Sequence, residues 1–343
     1  MKFLVRIFGT LLIIGVILIG VGIFGGMDIT RLTSTFNQSE AYGDPIHYKV
    51  TEVITDLNVD VNVKHIDVVL SDLDEIHVTY YSHTDDIWEI TQESGVLSIT
   101  QKQKVKLLFW FNFGFVSKDL LTLKIEIPKT WVIDYDIKTN TGDISFFGDY
   151  KPEQSHLDTN SITLETDTGS IEVNDVSVEN LYLKTDTGNL ALLHVFVINQ
   201  LNLISSTGVI HLEDSFAKEV EIYGSTGRVE VENLQSLSLF IDSDTSHVIV
   251  KDSVIDTFVK VRISTGRINL NDIISQSYDL KTNTGDITVG LHSLTELTYN
   301  LSTNTGKVTV DGINQGNKHV TTTGTIDLIA QTTTGNIDIY LQD

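Results

Sequence analysis

Leu181-Tyr182-Leu183-Lys184-Thr185-Asp186-Thr187-Gly188-Asn189-Leu190-Ala191-Leu192 is the stretch whose reading decides the fold. Leu181, Leu183 and Thr185 alternate before a Thr-Asp-Thr-Gly turn, and Leu190 and Leu192 alternate after it. Period two is the mark of strands with one buried side. One repeat on, Leu201, Leu203, Ser205, Ile210 and Leu212 take the same places, and further on so do Val259, Val261, Ile268 and Leu270. A third apolar point recurs between turns at Val176, Phe196, Phe216, Leu234 and Val254, and is expected to face the same core.

The turn signature recurs at Gly142, Gly169, Gly188, Gly208, Gly227, Gly266, Gly285, Gly306, Gly324 and Gly335, with Ser246 in the glycine place once. From 169 to 324 the steps are 19, 20, 19, 19, 20, 19, 21 and 18 residues. A unit this short cannot bury its own inner face, so it must stack on neighbours. The expected fold is all-β: a single-stranded, β-helix-like solenoid of about 19–20 residues per coil, about 48 Å long at one strand spacing per coil. Asn or Asp suits the bend and glycine accepts positive φ. The threonine before each glycine, from Thr141 to Thr323, is expected to form a hydroxyl ladder between coils. The short step from Gly324 to Gly335 predicts a final strand, residues 335–339, that closes the open end.

Residues 46–130 are strand-rich without the signature and read as an N-terminal cap on the solenoid of residues 131–343. Before them, Ile7 to Met27 is 21 residues without a charge, which as a helix spans about 31 Å. Lys2 and Arg6 put its N-terminal flank in the cytoplasm. The expected organisation is a cytoplasmic N-terminus and transmembrane anchor at 1–27, a tether at 28–45, and a C-terminal domain outside a cell membrane. A cleaved signal peptide is the other reading, against which the run is long and lacks a small-x-small site.

The chain has 343 residues, 23 Lys+Arg, 46 Asp+Glu and no Cys, for a formal charge of −23. Without Lys2 and Arg6 the remainder carries 21 − 46 = −25. Such a balance argues against nucleic acid as a partner. Zero cysteine excludes disulfides, thiol nucleophiles and Cys-ligated metals. The carboxylates show neither an EF-hand nor a Gly-Gly-x-Gly-x-Asp calcium repeat. Asp143 and Asp286 follow turn glycines, as acids of a polysaccharide-cleaving β-helix would, yet that place also holds Ser170, Asn189, Val209, Arg228, His247, Arg267 and Lys307. No catalytic residue, metal site or cofactor is expected.

One segment stands out as a candidate interaction loop. Phe109, Trp110, Phe111, Phe113 and Phe115 lie together, flanked by Lys102, Lys104, Lys106 and Lys118. Two readings stand. The rings form a lid over the N-terminal end of the solenoid, or they touch a lipid surface or protein partner, with the lysines against anionic headgroups.

Asp60-Val61-Asn62-Val63, the Ser71–Val78 segment and Ile127-Pro128-Lys129 leading into Thr139-Asn140-Thr141-Gly142-Asp143-Ile144 carry a family resemblance. Over residues 46–340 the chain resembles the bacterial putative-adhesin family of β-strand repeat proteins, which includes the membrane-anchored LiaG-like envelope proteins of Gram-positive bacteria. The resemblance implies a β-helix-like fold in the cell envelope and transfers no site residue. The function expected is a membrane-anchored, adhesin-like binding module whose partner is an envelope protein, a cell-wall polymer or a lipid surface. An accessory role in an envelope-stress response and a polysaccharide-active β-helix enzyme are the alternatives.

Overall fold

The structure is a computed structural model that describes residues 41–103, 116–150, 159–294 and 296–342. The predicted anchor and most of the tether lie outside the described residues. Among those described, no helix is long and apolar enough to cross a membrane.

Two strand columns meet at the glycine turns. On the arm before the turn, Asp134–Thr141, Thr159–Thr168 and the end of Ile171–Thr187 pair in parallel, so that Tyr135, Ile162 and Leu181 stack, as do Ile137, Leu164 and Leu183. On the arm after it, Ile144, Ile171 and Leu190 stack, and so do Phe146, Val173 and Leu192. All of these inward residues are buried. Because equivalent residues sit on equivalent residues, the alternation read along one coil becomes a continuous apolar core along the stack. The turns are tight enough that extended structure runs unbroken from Leu190 to Thr265.

The third side of the coil departs from expectation by one residue. Val176 and Leu234 are buried, but Phe196, Phe216 and Val254 point outward, while their neighbours Val195, Val197, Ser215, Ala217, Ser253 and Ile255 fill the interior. Strand periodicity obliges the shift: a one-place slip sends every side chain to the other face. Small residues line this side, with Ser215 Oγ accepting the Val195 amide at 3.1 Å and Ser253 Oγ that of Leu234 at 3.0 Å.

Neither end follows chain order. The coil formed by Asp56–Val63 and His65–Ser71 lies between the coil of Val96–Gln103 and Thr122–Pro128 and the coil of Asp134–Thr141 and Ile144–Phe147. At the other end, Ile326–Thr334 pairs with both Ser277–Thr284 and Leu297–Thr305, and Ile337–Leu341 with both Ile287–Leu291 and Val308–Val310. The last segment is therefore a full inner coil rather than the expected closing strand. Antiparallel strands do the closing. Lys318–Val320 pairs along Leu297–Thr305, and Ile313–Asn314 along Val308–Val310. The N-terminal end is closed likewise by Asp86–Glu93 and by Ile76–Tyr80 with Ile46–Val50. Such strands end a stack whose next parallel edge would otherwise recruit another chain.

Candidate functional site

The glycine edge is built from backbone. A Cβ at Gly188 would lie 1.8 Å from the Gly169 carbonyl oxygen, and φ there is +155°. The same close approach links Gly142, Gly169, Gly188, Gly208 and Gly227, then Ser246, Gly266, Gly285, Gly335 and Gly306. Gly324 is outside this column: it faces the Glu296 carbonyl, and Gly335 is the turn glycine of its coil. The hydroxyl ladder also sits elsewhere than expected. Thr141, Thr168, Thr187 and Thr207 are exposed, and the bonding residue lies two places earlier. Thr166 Oγ1 donates to the Gly142 carbonyl at 3.0 Å, Thr185 to Gly169 at 2.9 Å and Ser205 to Gly188 at 3.1 Å. Alternation explains the correction, since the residue three before the glycine is an inward one.

The place after the glycine, where Asp143 and Asp286 raised the enzymatic alternative, is also structural. Asp143 Oδ1 accepts the Ser170 amide at 3.0 Å, Ser170 Oγ that of Asn189 at 3.2 Å, and Asn189 Oδ1 that of Val209 at 2.8 Å. Asp286 Oδ1 accepts the Asn336 amide at 2.8 Å. These side chains cap the next coil's backbone. Burial pushes the Asp143 carboxyl up, but the Ser170 amide and the Lys118 ammonium outweigh it and hold the group below its usual range. Its neighbour His65 accepts the Asp143 amide on Nδ1 at 3.0 Å, and burial lowers the imidazole against the pull of Asp143.

A second polar column escaped the sequence reading. Asp175, His194, Asp214, Asn233, Asp252 and Asp272 all have φ between 48° and 59°. Asp and Asn tolerate this left-handed conformation best among residues with a Cβ. His194 bridges Asp175 and Asp214 at 3.1 and 3.7 Å. Their spacing of 19, 20, 19, 19 and 20 residues repeats that of the glycines. Among the described residues, no group of three His, Asp or Glu is arranged to hold a metal ion.

The candidate loop residues Lys104, Lys106, Phe109, Trp110, Phe111, Phe113 and Phe115 lie outside the described residues, but both roots of their segment are placed. In the neighbouring coil, Val63 and His65 are joined at the glycine corner by the single residue Lys64. In the end coil, Gln103 and Thr122 are joined at that corner by residues 104–121. A groove of about 320 Å³ lined by Asp67, Thr79, Tyr81, Lys118, Asp119 and Lys124 lies at the second root.

Beneath the first root is a buried charge lock. Lys64 and Asp86 side chains are 1% and 0% exposed and 3.5 Å apart. Lys64 Nζ donates to the Tyr81 carbonyl at 3.0 Å and lies over the rings of Tyr42 and Trp88, 5.1 and 5.5 Å from their centroids. Asp86 accepts from Gln101 Nε2 at 2.8 Å and from the His83 amide at 3.0 Å. Gln101 Oε1 in turn accepts the Asn62 amide. Burial lowers the Lys64 ammonium, with Asp86 opposing, and pushes the Tyr42 phenol up to about 12, with Asp86 adding to it. With both charged side chains closed to solvent and each held by further hydrogen bonds, the pair ties the capping strands to the coil beneath.

Residues 54–340 match the family described as Toastrack DUF4097. The chain belongs to this family. The match covers the span over which the sequence resembles a family of β-strand repeat proteins. Two solved structures are similar over most of their length. A putative adhesin from Bacteroides fragilis is 9% identical with a TM-score of 0.41, over 87% of this chain and 98% of its own. A putative cell adhesion protein from Clostridium sporogenes is 13% identical with a TM-score of 0.21, over 87% of this chain and 100% of its own. At such identities and scores neither adds to the family match. A comparison with curated proteins finds no match.

Proposed function

We propose that this Toastrack DUF4097 protein is a single-pass membrane protein, N-terminus in the cytoplasm, whose solenoid stands outside the cell as a binding module of the envelope. It performs no chemistry of its own: Asp143 and Asp286, the carboxylates best placed for catalysis, are each committed to holding the next coil.

The observation that carries the reading is the contrast at one corner of two adjacent coils. A single residue, Lys64, links the two strands in one, and 18 residues of sequence, 104–121, separate them in the other. An insertion rich in Phe, Trp and Lys on an acidic rod is the local patch through which an anionic surface is reached despite a long-range repulsion. The lid role and the contact role are compatible.

Topology is testable because the chain has no cysteine. A Thr187→Cys variant in intact cells is expected to react with a membrane-impermeant maleimide, and labelling only after lysis would reverse the proposed orientation. Binding is tested by sedimenting the 41–343 fragment with isolated cell walls and with vesicles containing anionic lipid. Recovery in neither pellet removes the contact role of the loop.

A further inference from the structure

The outward side chains on the third side of the coil form a patch complementary to itself. One column runs Phe196, Phe216, Gln235, Val254 and Ile274 along successive coils. Phe196 and Phe216 stack with centroids 4.7 Å apart, and Val254 and Ile274 are paired neighbours. Beside it runs Ile198, Lys218, Leu237 and Asp256. Ser236 Oγ bonds the Lys218 carbonyl and Thr257 Oγ1 the Leu237 carbonyl, which fixes these levels. Leu237, Val254 and Ile274 are 38%, 39% and 59% exposed. Between the columns lies a groove of about 570 Å³ lined by Phe216, Gln235, Leu237 and Val254, with Lys218 at one end and Asp256 at the other.

The charges decide what fits. Lys218 is one level above Leu237 and Asp256 one level below, about 10 Å apart, and both are exposed. Among the described residues neither has an ion-pair partner in its own chain. A two-fold axis across the rod at the level of Leu237 lays a second copy on this face in the opposite direction. It sets Lys218 against the partner's Asp256 twice, Phe216 against Val254, Phe196 against Ile274, and Leu237 and Gln235 each against themselves. A two-fold contact needs this self-complementarity. On a surface of −25, it also falls where apolar side chains dilute the charge.

We infer that the chain pairs with a second copy of itself, antiparallel, through the third side of residues 190–275. The test uses the full-length protein in detergent and in its membrane. Sedimentation should give a dimer that Lys218→Asp weakens by about tenfold or more, because each copy then faces like charge, as should Asp256→Lys alone. The double variant Lys218→Asp/Asp256→Lys should restore it. Since the chain has no cysteine, Leu237→Cys should also cross-link on mild oxidation in membranes, while Thr187→Cys on the glycine edge should not. A monomer at tens of micromolar, or a dimer indifferent to all three charge variants, overturns the inference. The second outcome would move the contact elsewhere, for instance to the membrane segment.

Discussion

The glycine edge and the third side of each coil solve the same problem with opposite tolerance. At the glycine edge, carbonyl oxygens sit where a Cβ would be, and the column admits almost nothing but glycine. On the third side, Val195, Ser215, Leu234, Ser253 and Ile273 successively occupy one inward place, and the outward places vary from Phe216 to Gln235. Where backbone meets backbone, sequence is constrained by sterics. Where side chain meets solvent, it is free to acquire a partner. The recurrent signature therefore marks what holds this protein up, and its binding chemistry is to be sought where the recurrence lapses.

Breaking the strict edge should have the largest effect. Gly188→Val forces the Gly169 carbonyl away and should cost about 4 kcal/mol or more, visible as loss of the cooperative melting transition. Next is the charge lock: Lys64→Met strands Asp86 without its cation and should cost about 3–5 kcal/mol in denaturant unfolding. Lys64→Met/Asp86→Leu should recover most of that loss, which separates a buried-charge penalty from simple loss of packing. Thr185→Val removes only the bond to the Gly169 carbonyl, and about 1 kcal/mol is expected. Thr187→Val, on the exposed place two residues on, should change stability by less than about 0.5 kcal/mol.

The smallest effect is one of pH. His65 and Asp143 both have folded values below their ordinary 6.5 and 3.8, so the unfolded chain binds protons more readily at each. Their contribution is complete above pH 6.5. It declines as His65 becomes protonated and is lost as pH falls through the lowered Asp143 value. Asp143→Asn should flatten the acid limb of a melting-temperature profile, and an unchanged limb would assign acid sensitivity to other groups.

The coil was legible because alternation and glycine spacing report one inward row and one tight turn directly. In two places residue type and strand parity point to different residues, and parity decides the face: the hydroxyl ladder runs through Thr185 rather than Thr187, and the inward third row through Val195 and Val197 rather than Phe196. The αL column at Asp175, Asp214 and Asn233 shared the glycine period but was hidden by its mixed residue types. The swapped order of the end coils has no local signal: which strand lies between which is decided by pairing partners far along the chain. The Lys64–Asp86 pair, 22 positions apart by 86 − 64, joins an interior coil to a capping hairpin and could not be seen before that topology was known.

Whether partner contact resides where the repeat lapses is tested most directly by the Trp110→Ser/Phe113→Ser variant of the 41–343 fragment, compared with the unaltered fragment in vesicle co-sedimentation and in melting. The expected result is loss of binding to anionic vesicles at an unchanged melting temperature. Equal binding by both fragments would contradict it, as would a collapse of the melting transition, which would make those rings part of the scaffold alone.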